Sequence, residues 1–414
     1  MTERRVVITG VGAVSPIGIQ KEDIWGAVLE GRQGVRHITR FDASSFSSQI
    51  AAEVMDYDAH DYLDAKRARR LDRFSQFGLT AARLAATDAR LDMEKEERER
   101  IGVYVGSALG GIAYAEEQHV DFVSAGIRRV SPMLALAVFG GASSANIAID
   151  LGVYGPALGN ANSCASGTIA VGEAFRAIKR DEIDMALAGG VEAPLAPLTF
   201  GAFALIKVLS SRNDDPATAS RPFDRDRDGF VMGEAAGILV LEEMGHALRR
   251  GAQIYGEVLG FGVSSDGFHM TAPRPDGLQA ARAITLALRE AGVRPEEIEY
   301  VAAHASSTGL NDSTETHAIK LALGDHAYRI PVSGTKGMHA HSLGASGALE
   351  LVIASLTLQR GVIPATVNLF EPDPSCDLNY VRDRPLAKHV NRLVKNSFGF
   401  GGVNASLVLG GVEQ

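Results

Sequence analysis

Short β-branched runs ending in glycine alternate along this chain with longer Ala/Leu/Arg-rich stretches of helical period, and this alternation restricts the fold more than any other feature. It is the pattern of an α/β protein whose sheets are covered by helices. Val6 to Thr9, Val103 to Val105, Met185 to Ala188, Gly237 to Leu241, Tyr300 to Ala303 and Ser406 to Leu409 read as buried strands. Leu71 to Ala89, Ser166 to Ile178, Leu278 to Ala291 and Leu349 to Leu358 read as helices. A chain of 414 residues outgrows a single hydrophobic core, so two closely packed halves or one large duplicated unit is expected. A short echo between Val7 to Ser15 and Glu257 to Ser265, each a strand running into Gly-x-Gly and then serine, points to halves meeting near residue 255, that is 1–254 and 255–414.

The formal charge of −9 argues against a general nucleic-acid binder, which needs an excess of Lys and Arg to replace phosphate counterions. Two cysteines make no disulfide framework and fit a reducing cytoplasm. The N-terminal run lacks the apolar stretch of a signal peptide, and no segment reaches transmembrane length without charges, so no membrane association is expected.

The segment Asn162-Ser-Cys-Ala-Ser-Gly-Thr168 carries the clearest chemistry. A strand-like stretch ends in Cys164 immediately before an amphipathic helical run, which puts the sulfur at a helix N-terminus. Unpaired amides there favour thiolate over thiol and can donate to an oxyanion. A lone cysteine is more often a small buried apolar residue. Cys376, in a turn-rich segment, reads as a bystander. His304 follows an apolar strand and enters a Ser/Thr/Gly loop, while His341 lies in a loop ahead of a small-residue helix. Loops at strand ends are where α/β folds build active sites. His339, two residues away, reads as structural, and no metal-ligand spacing surrounds these positions. Gly10-x-Gly12 reads as a structural turn after the first strand; the third glycine of a dinucleotide fingerprint is missing and Pro16 interrupts the expected helix.

Taken in order, Ile8-Thr-Gly-Val-Gly12, Leu71-Asp-Arg-Phe-Ser-Gln76, the cysteine segment, Arg221 to Glu234, both histidine segments and Asn396-Ser-Phe-Gly-Phe-Gly-Gly-Val-Asn404 resemble the beta-ketoacyl synthase family, most closely its elongating branch, over essentially the whole chain. The resemblance implies a five-layered αβαβα thiolase fold with two pseudo-duplicated halves. It implies decarboxylative condensation of an acyl group with malonyl-[acyl carrier protein] in fatty acid elongation. By the same resemblance Cys164 is the acyl-accepting nucleophile, and His304 and His341 stabilise the enolate-like charge that appears as carbon dioxide leaves. Lys336 and Glu350 match the buried lysine and helix carboxylate that orient the histidine region, and Asp312 and Glu315 hold the first histidine's loop. Phe400, in Gly399-Phe-Gly-Gly402, matches a gate between acyl pocket and malonyl site, its N–H joining that of Cys164 in the oxyanion hole. Lys66, Arg67, Arg69, Arg70 and Lys207 fall where such enzymes meet the acyl carrier protein, although a Lys/Arg run is usually a solvated face. The family implies a homodimer, or a heterodimer with a chain-length partner. It implies no metal and no tightly bound cofactor, the phosphopantetheine arm arriving on the carrier.

Four loop residues depart from the family pattern: Ala235, Ala305, Gly309 and Ala340. Pro132 to Ala142, which would line the pocket base near the dimer interface, also departs and leaves substrate chain length and shape open. The alternative reading is the ketosynthase subunit of a dissociated type II polyketide or specialised-lipid pathway. A non-catalytic partner subunit would lose the cysteine, and a thiolase would need a second cysteine where this chain has Gly399-Phe-Gly-Gly.

Overall fold

The computed structural model describes residues 4–412. Ten strands, Val6–Val14 (β1), Ile101–Gly106 (β2), Ala157–Asn160 (β3), Met185–Glu192 (β4), Ala235–Glu243 (β5), Gly256–Ser265 (β6), Tyr300–Ala302 (β7), Val332–Ser333 (β8), Arg392–Gly399 (β9) and Val403–Gly410 (β10), hydrogen-bond in the order β8-β7-β9-β10-β6-β1-β5-β4-β2-β3. The seam between β1 and β6 is short, running from Val6 opposite Val258 to Ile8 opposite Gly256. Outward from it, each side meets the first, fifth, fourth, second and third strands of its own half. In both, the first strand pairs antiparallel with the fifth, and the outer strands are parallel.

The principal helices are Arg73–Asp88 (α1), Ile112–Ala125 (α2), Ala142–Leu151 (α3), Ser166–Lys179 (α4), Pro197–Leu205 (α5), Leu278–Ala291 (α6), Asn311–Leu323 (α7) and Leu343–Arg360 (α8). Alternating side chains decide which layer each strand face serves. Leu239, Leu241, Ala186 and Ala188 join α4 and α8 in a central core, whereas Ile238, Val240, Met185 and Leu187 pack outward against α1 and α3. On the other side Leu407 and Leu409 face the central core, and Val408 faces the outer one with α6 and α7. The result is five layers: helix, sheet, helix, sheet, helix. Because both faces of each strand are covered, the strands read as continuous apolar runs.

All six strands and four helices expected from the sequence are present, with longer bounds in several cases. Helix α8 begins at Leu343, ahead of the expected Leu349, and is buried from Leu343 to Leu358. A helix covered all round carries no polar stripe to mark its start. The expected turn at Gly10-x-Gly12 is absent: both glycines lie inside the nine-residue strand β1. They serve close packing instead. A Cβ on Gly12 would stand 2.2 Å from the Ala81 carbonyl oxygen of α1, and one on Gly262 of β6 would stand 2.0 Å from the Ala283 carbonyl oxygen of α6.

Candidate active site

Small residues let the two central helices touch at their N-terminal ends. A Cβ on Gly167 of α4 would lie 2.9 Å from the Gly344 carbonyl oxygen, and one on Gly347 of α8 would lie 2.2 Å from Thr168 Oγ1. The segments leading into these helices therefore meet, and they carry Cys164 and His341. Cys164 sits in the one-turn segment Ser163–Ala165 directly before α4. Ser163 has a left-handed backbone (φ 53°) that turns the chain sharply at the sulfur. Cys164, His304, His341, Phe398, Phe400 and Lys207 all border one cavity of roughly 200 Å³.

His304 lies just past the end of β7, and His341 two residues before α8. Their ring centroids are 5.3 Å apart with an interplanar angle of 81°. Phe230 packs against the His341 ring at 5.1 Å and Phe398 against His304 at 6.1 Å. Burial, together with the charge of Lys336, holds both imidazoles well below the ordinary histidine pKa, so both are neutral. The Lys336 ammonium lies 3.5 Å from His304 Nδ1 and also donates to the His304 carbonyl oxygen. An ammonium offers only donors, so Nδ1 accepts and the ring proton resides on Nε2. Ser346 Oγ lies 2.7 Å from His341 Nδ1, in a hydrogen bond that a hydroxyl makes with either tautomer.

Behind the rings, Lys336 pairs with Glu350 Oε1, and Lys395 Nζ pairs with Glu350 Oε2 at 2.7 Å. Burial alone would raise the Glu350 carboxyl, but the two ammonium groups hold it below the usual carboxylate range. Burial pushes Lys395 down. Glu315 accepts from the N–H groups of His304 and Ala305, both at 2.7 Å, and Asp312 accepts from those of Phe223 (2.8 Å) and Ser307 (3.1 Å). These two carboxylates tie the first histidine's loop to helix α7.

Phe400 is half-buried in the loop joining β9 to β10, its ring stacked on Phe203 at 6.3 Å. Its N–H is directed at the Cys164 sulfur. Gly399 approaches so closely that a Cβ there would be 3.0 Å from the Cys164 amide nitrogen. The thiol itself departs from the sequence reading. Burial pushes Cys164 up, with the Ser163 hydroxyl, the Phe400 N–H and the Lys336 charge opposing. The helix N-terminus is present, and burial of the sulfur is the largest influence on the thiol.

The basic residues do not form one cluster. Lys207 borders the cavity. Lys66 and Arg67 lie on the single turn Ala65–Ala68, and Arg69 lines a separate groove with Arg40 and Leu198, at the opposite end of α5 from Lys207. Lys66, Arg69 and Arg70 are exposed, whereas Arg67 is engaged by Asp150, which Arg83 also holds. Cys376 is buried among Phe223 and Tyr380 in the outer core of the second half, away from the cavity lining. His339 is buried, its Nε2 2.9 Å from Thr335 Oγ1, and is pushed down to about 4 by burial. Of the departures, Ala305 (φ 48°) and Ala340 (φ 58°) place alanine in left-handed backbone directly beside His304 and His341.

Sequence reasoning missed Lys395, Ser346 and Glu192. A lysine inside the apolar strand Leu393-Val-Lys-Asn396 was a readable signal, because an unpaired lysine there would be prohibitively desolvated. Ser346 and Glu192 gave no such sign, their partners lying far away in sequence or on an unmarked helical turn. Among the described residues no group of His, Cys, Asp and Glu is arranged to hold a metal ion.

This fold and this cavity define a class, and sequence comparison agrees: residues 3–247 match the beta-ketoacyl synthase N-terminal domain and residues 255–370 its C-terminal domain. The chain belongs to the beta-ketoacyl synthase family, condensing acyltransferases of the thiolase fold. Among its relatives, a protein of Synechocystis named 3-oxoacyl-[acyl-carrier-protein] synthase 2 is 46% identical, covering 98% of each chain. One of the same name from Coxiella burnetii is 44% identical, covering 99% of each. Among solved structures, the ishigamide ketosynthase/chain length factor superposes with a TM-score of 0.94 at 36% identity over 100% of each chain. A type II polyketide ketosynthase, solved with its acyl carrier protein and bound to the hexaketide, gives 0.93 at 32% identity over 100% of each.

Proposed function

We propose that this protein elongates acyl chains by decarboxylative Claisen condensation with malonyl-[acyl carrier protein], in fatty acid synthesis. The observation that carries the proposal is the meeting of one cysteine at a helix N-terminus with two neutral imidazoles on a single cavity. In the first half-reaction the Cys164 thiolate attacks an acyl thioester. The C–S bond to the phosphopantetheine arm breaks, the arm leaves as a thiolate that takes up the proton Cys164 gave up, and the acyl group stays on Sγ. In the second, the malonyl thioester loses carbon dioxide, and the electron pair of the broken C–C bond moves towards the thioester oxygen. His304 and His341 donate their Nε2–H groups to that oxygen without protonating it. The resulting carbon nucleophile attacks the acyl-Cys carbonyl, whose oxyanion is held by the Cys164 and Phe400 N–H groups. Collapse expels the Cys164 thiolate and leaves a beta-ketoacyl thioester on the carrier. Lys336 and Lys395 share one carboxylate, Glu350, and so keep positive potential behind the site of enolate formation. Phe400, on its glycine-flanked loop, gates the acyl and malonyl sides of the sulfur. No metal or resident cofactor takes part in this chemistry.

The carrier approaches across Lys207 at the cavity mouth and the exposed Lys66, Arg69 and Arg70, with Arg67 secondary because Asp150 holds it. The active unit is a homodimer. Strand β3 is an exposed sheet edge, and Leu158, Leu136 and Phe139 stand 52%, 61% and 48% exposed on or near it. An open edge flanked by apolar side chains is suited to a second copy of the chain. The repeated strand order and the paired glycine contacts of β1 and β6 support two duplicated halves, 1–254 and 255–414. No helix among the described residues is long and apolar enough to cross a membrane, and both cysteines are free thiols, which fits a reducing cytoplasm.

A second reading, the ketosynthase of a type II polyketide pathway, is favoured by the solved ketosynthases at TM-scores of 0.93 and 0.94. It uses the same residues. Purified protein given acyl-carrier thioesters of several lengths with malonyl-carrier protein should release carbon dioxide and one beta-ketoacyl product per turnover. Repeated extension to a poly-beta-ketone, or activity only with an added partner subunit, would instead establish the second reading.

A further inference from the structure

Glu192, the last residue of β4, is fully buried and contributes to no step of the chemistry above. Its carboxylate joins two separate segments. Oε1 accepts from Ser107 Oγ at 3.0 Å and from the Leu109 N–H at 3.1 Å, while Oε2 accepts from the Ala108 N–H at 2.7 Å and from the Gly344 N–H at 3.0 Å. The Ser107 hydroxyl in turn accepts from the Gly110 N–H at 2.9 Å, so the whole turn after β2 is pinned to one side chain. The junction is tight: a Cβ on Gly344 would stand 2.5 Å from the Ala108 nitrogen and 2.7 Å from Glu192 Oε2. Leu343, beside Gly344, holds a left-handed backbone at φ 40°. Burial pushes the Glu192 carboxyl up to about 7 even against these donors, a cost that the arrangement must offset elsewhere.

What the clamp holds is the apolar surround of the nucleophile. Ala108, Leu109 and Leu343 pack in the same cluster as Cys164, Phe230 and Phe400. Leu343 of this cluster borders the cavity beside Cys164, so an acyl chain attached to Sγ would extend along it. We infer that Glu192 is a positioning residue that fixes the spacing between Ala108–Leu109 and Leu343, and thereby sets which acyl chain lengths Cys164 accepts. The inference rests on the proposed acyl-Cys chemistry. A carboxylate suits the task because its two oxygens accept from both segments at once. Glutamine of the same shape would turn an N–H₂ towards either the Ser107 and Leu109 donors or the Ala108 and Gly344 donors, and lose N–H contacts of the clamp there.

The test is competition among acyl-carrier thioesters of short, medium and long chain for Cys164 in the dimeric enzyme, read by intact mass, with malonyl-carrier decarboxylation measured separately. In Glu192→Gln the ratio of kcat/KM between the best and worst chain should narrow by about tenfold, the scale of a lost hydrogen bond to a charged group. Malonyl decarboxylation should stay close to wild type. Ser107→Ala removes one donor and leaves the carboxylate, so it should shift the ratio the same way by about threefold, and it keeps the test open if Glu192→Gln does not fold. An unchanged chain-length ratio in folded variants, or a uniform fall in both half-reactions, overturns the clamp. If wild-type Cys164 takes no acyl group from any thioester, it is the condensing chemistry that fails.

Discussion

At the scale of single residues, the site works by keeping its imidazoles neutral and its cations paired. Among the described residues, Glu350 is the only carboxylate that forms an ion pair with both Lys336 and Lys395. Glu350→Gln leaves two buried ammonium groups facing a neutral amide, and breaking a buried pair in this way costs about 3–5 kcal/mol. Urea denaturation should show that loss as a lower midpoint with an unchanged slope; a variant as stable as the wild type would mean that the triad is not a paired unit. The thiol makes a second prediction. Because burial pushes Cys164 above its ordinary value of 9.0, its alkylation rate in the free enzyme should still be climbing as pH passes 9. A plateau by pH 8 would show instead that the amide donors have won. Cys164, His304 and His341 were legible because each sits where a strand-like run breaks into a loop or helix. Lys336 and Glu350 were legible only through the family resemblance, since alone each would pass for a solvated surface charge. The pairing of Glu350 with Lys395 was not, because the two meet only when β9 crosses beneath α8.

Between elements, backbone proximity is what brings Cys164 and His341 together. The α4–α8 contact and the β1–α1 and β6–α6 contacts all depend on missing side chains. Gly262→Val would force its side chain into the α6 backbone at Ala283 and Ala287. Overpacking of this kind costs typically about 1–3 kcal/mol. Thermal unfolding of the variant should register the loss, whereas an unaltered Tm would show that α6 can slide away freely. The strands and amphipathic helices were readable because period and burial agree along them. The interior glycines were not, since Gly-x-Gly within a strand and Gly-x-Gly at a turn are the same letters, and only the helix packed above distinguishes them.

For the molecule as a whole, the exposed edge strand β3 and the apolar side chains around it are the least settled surface of the single chain. Sedimentation should give a dimer at micromolar concentration, and Leu136→Glu combined with Phe139→Glu should shift it towards monomer. Wild-type protein that remains monomeric would remove the second copy from the account. Family membership and the five-layered architecture were readable from the ordered set of motifs. Chain-length preference was not, because Ala108, Leu109 and Leu343 are brought together only in the fold, by hydrogen bonds to Glu192 from segments far apart in sequence.

The central claim, one acyl-accepting sulfur served by two neutral donors, is tested most directly by separating the half-reactions. Wild-type protein, Cys164→Ala, His304→Ala and His341→Ala would each be mixed with acyl-carrier thioester, weighed intact, then chased with malonyl-carrier protein. The account predicts acyl mass on the wild type and both histidine variants, none on Cys164→Ala, and prompt discharge into beta-ketoacyl product by the wild type alone. Acyl mass retained in Cys164→Ala, or discharge by either histidine variant at the wild-type rate, would contradict it.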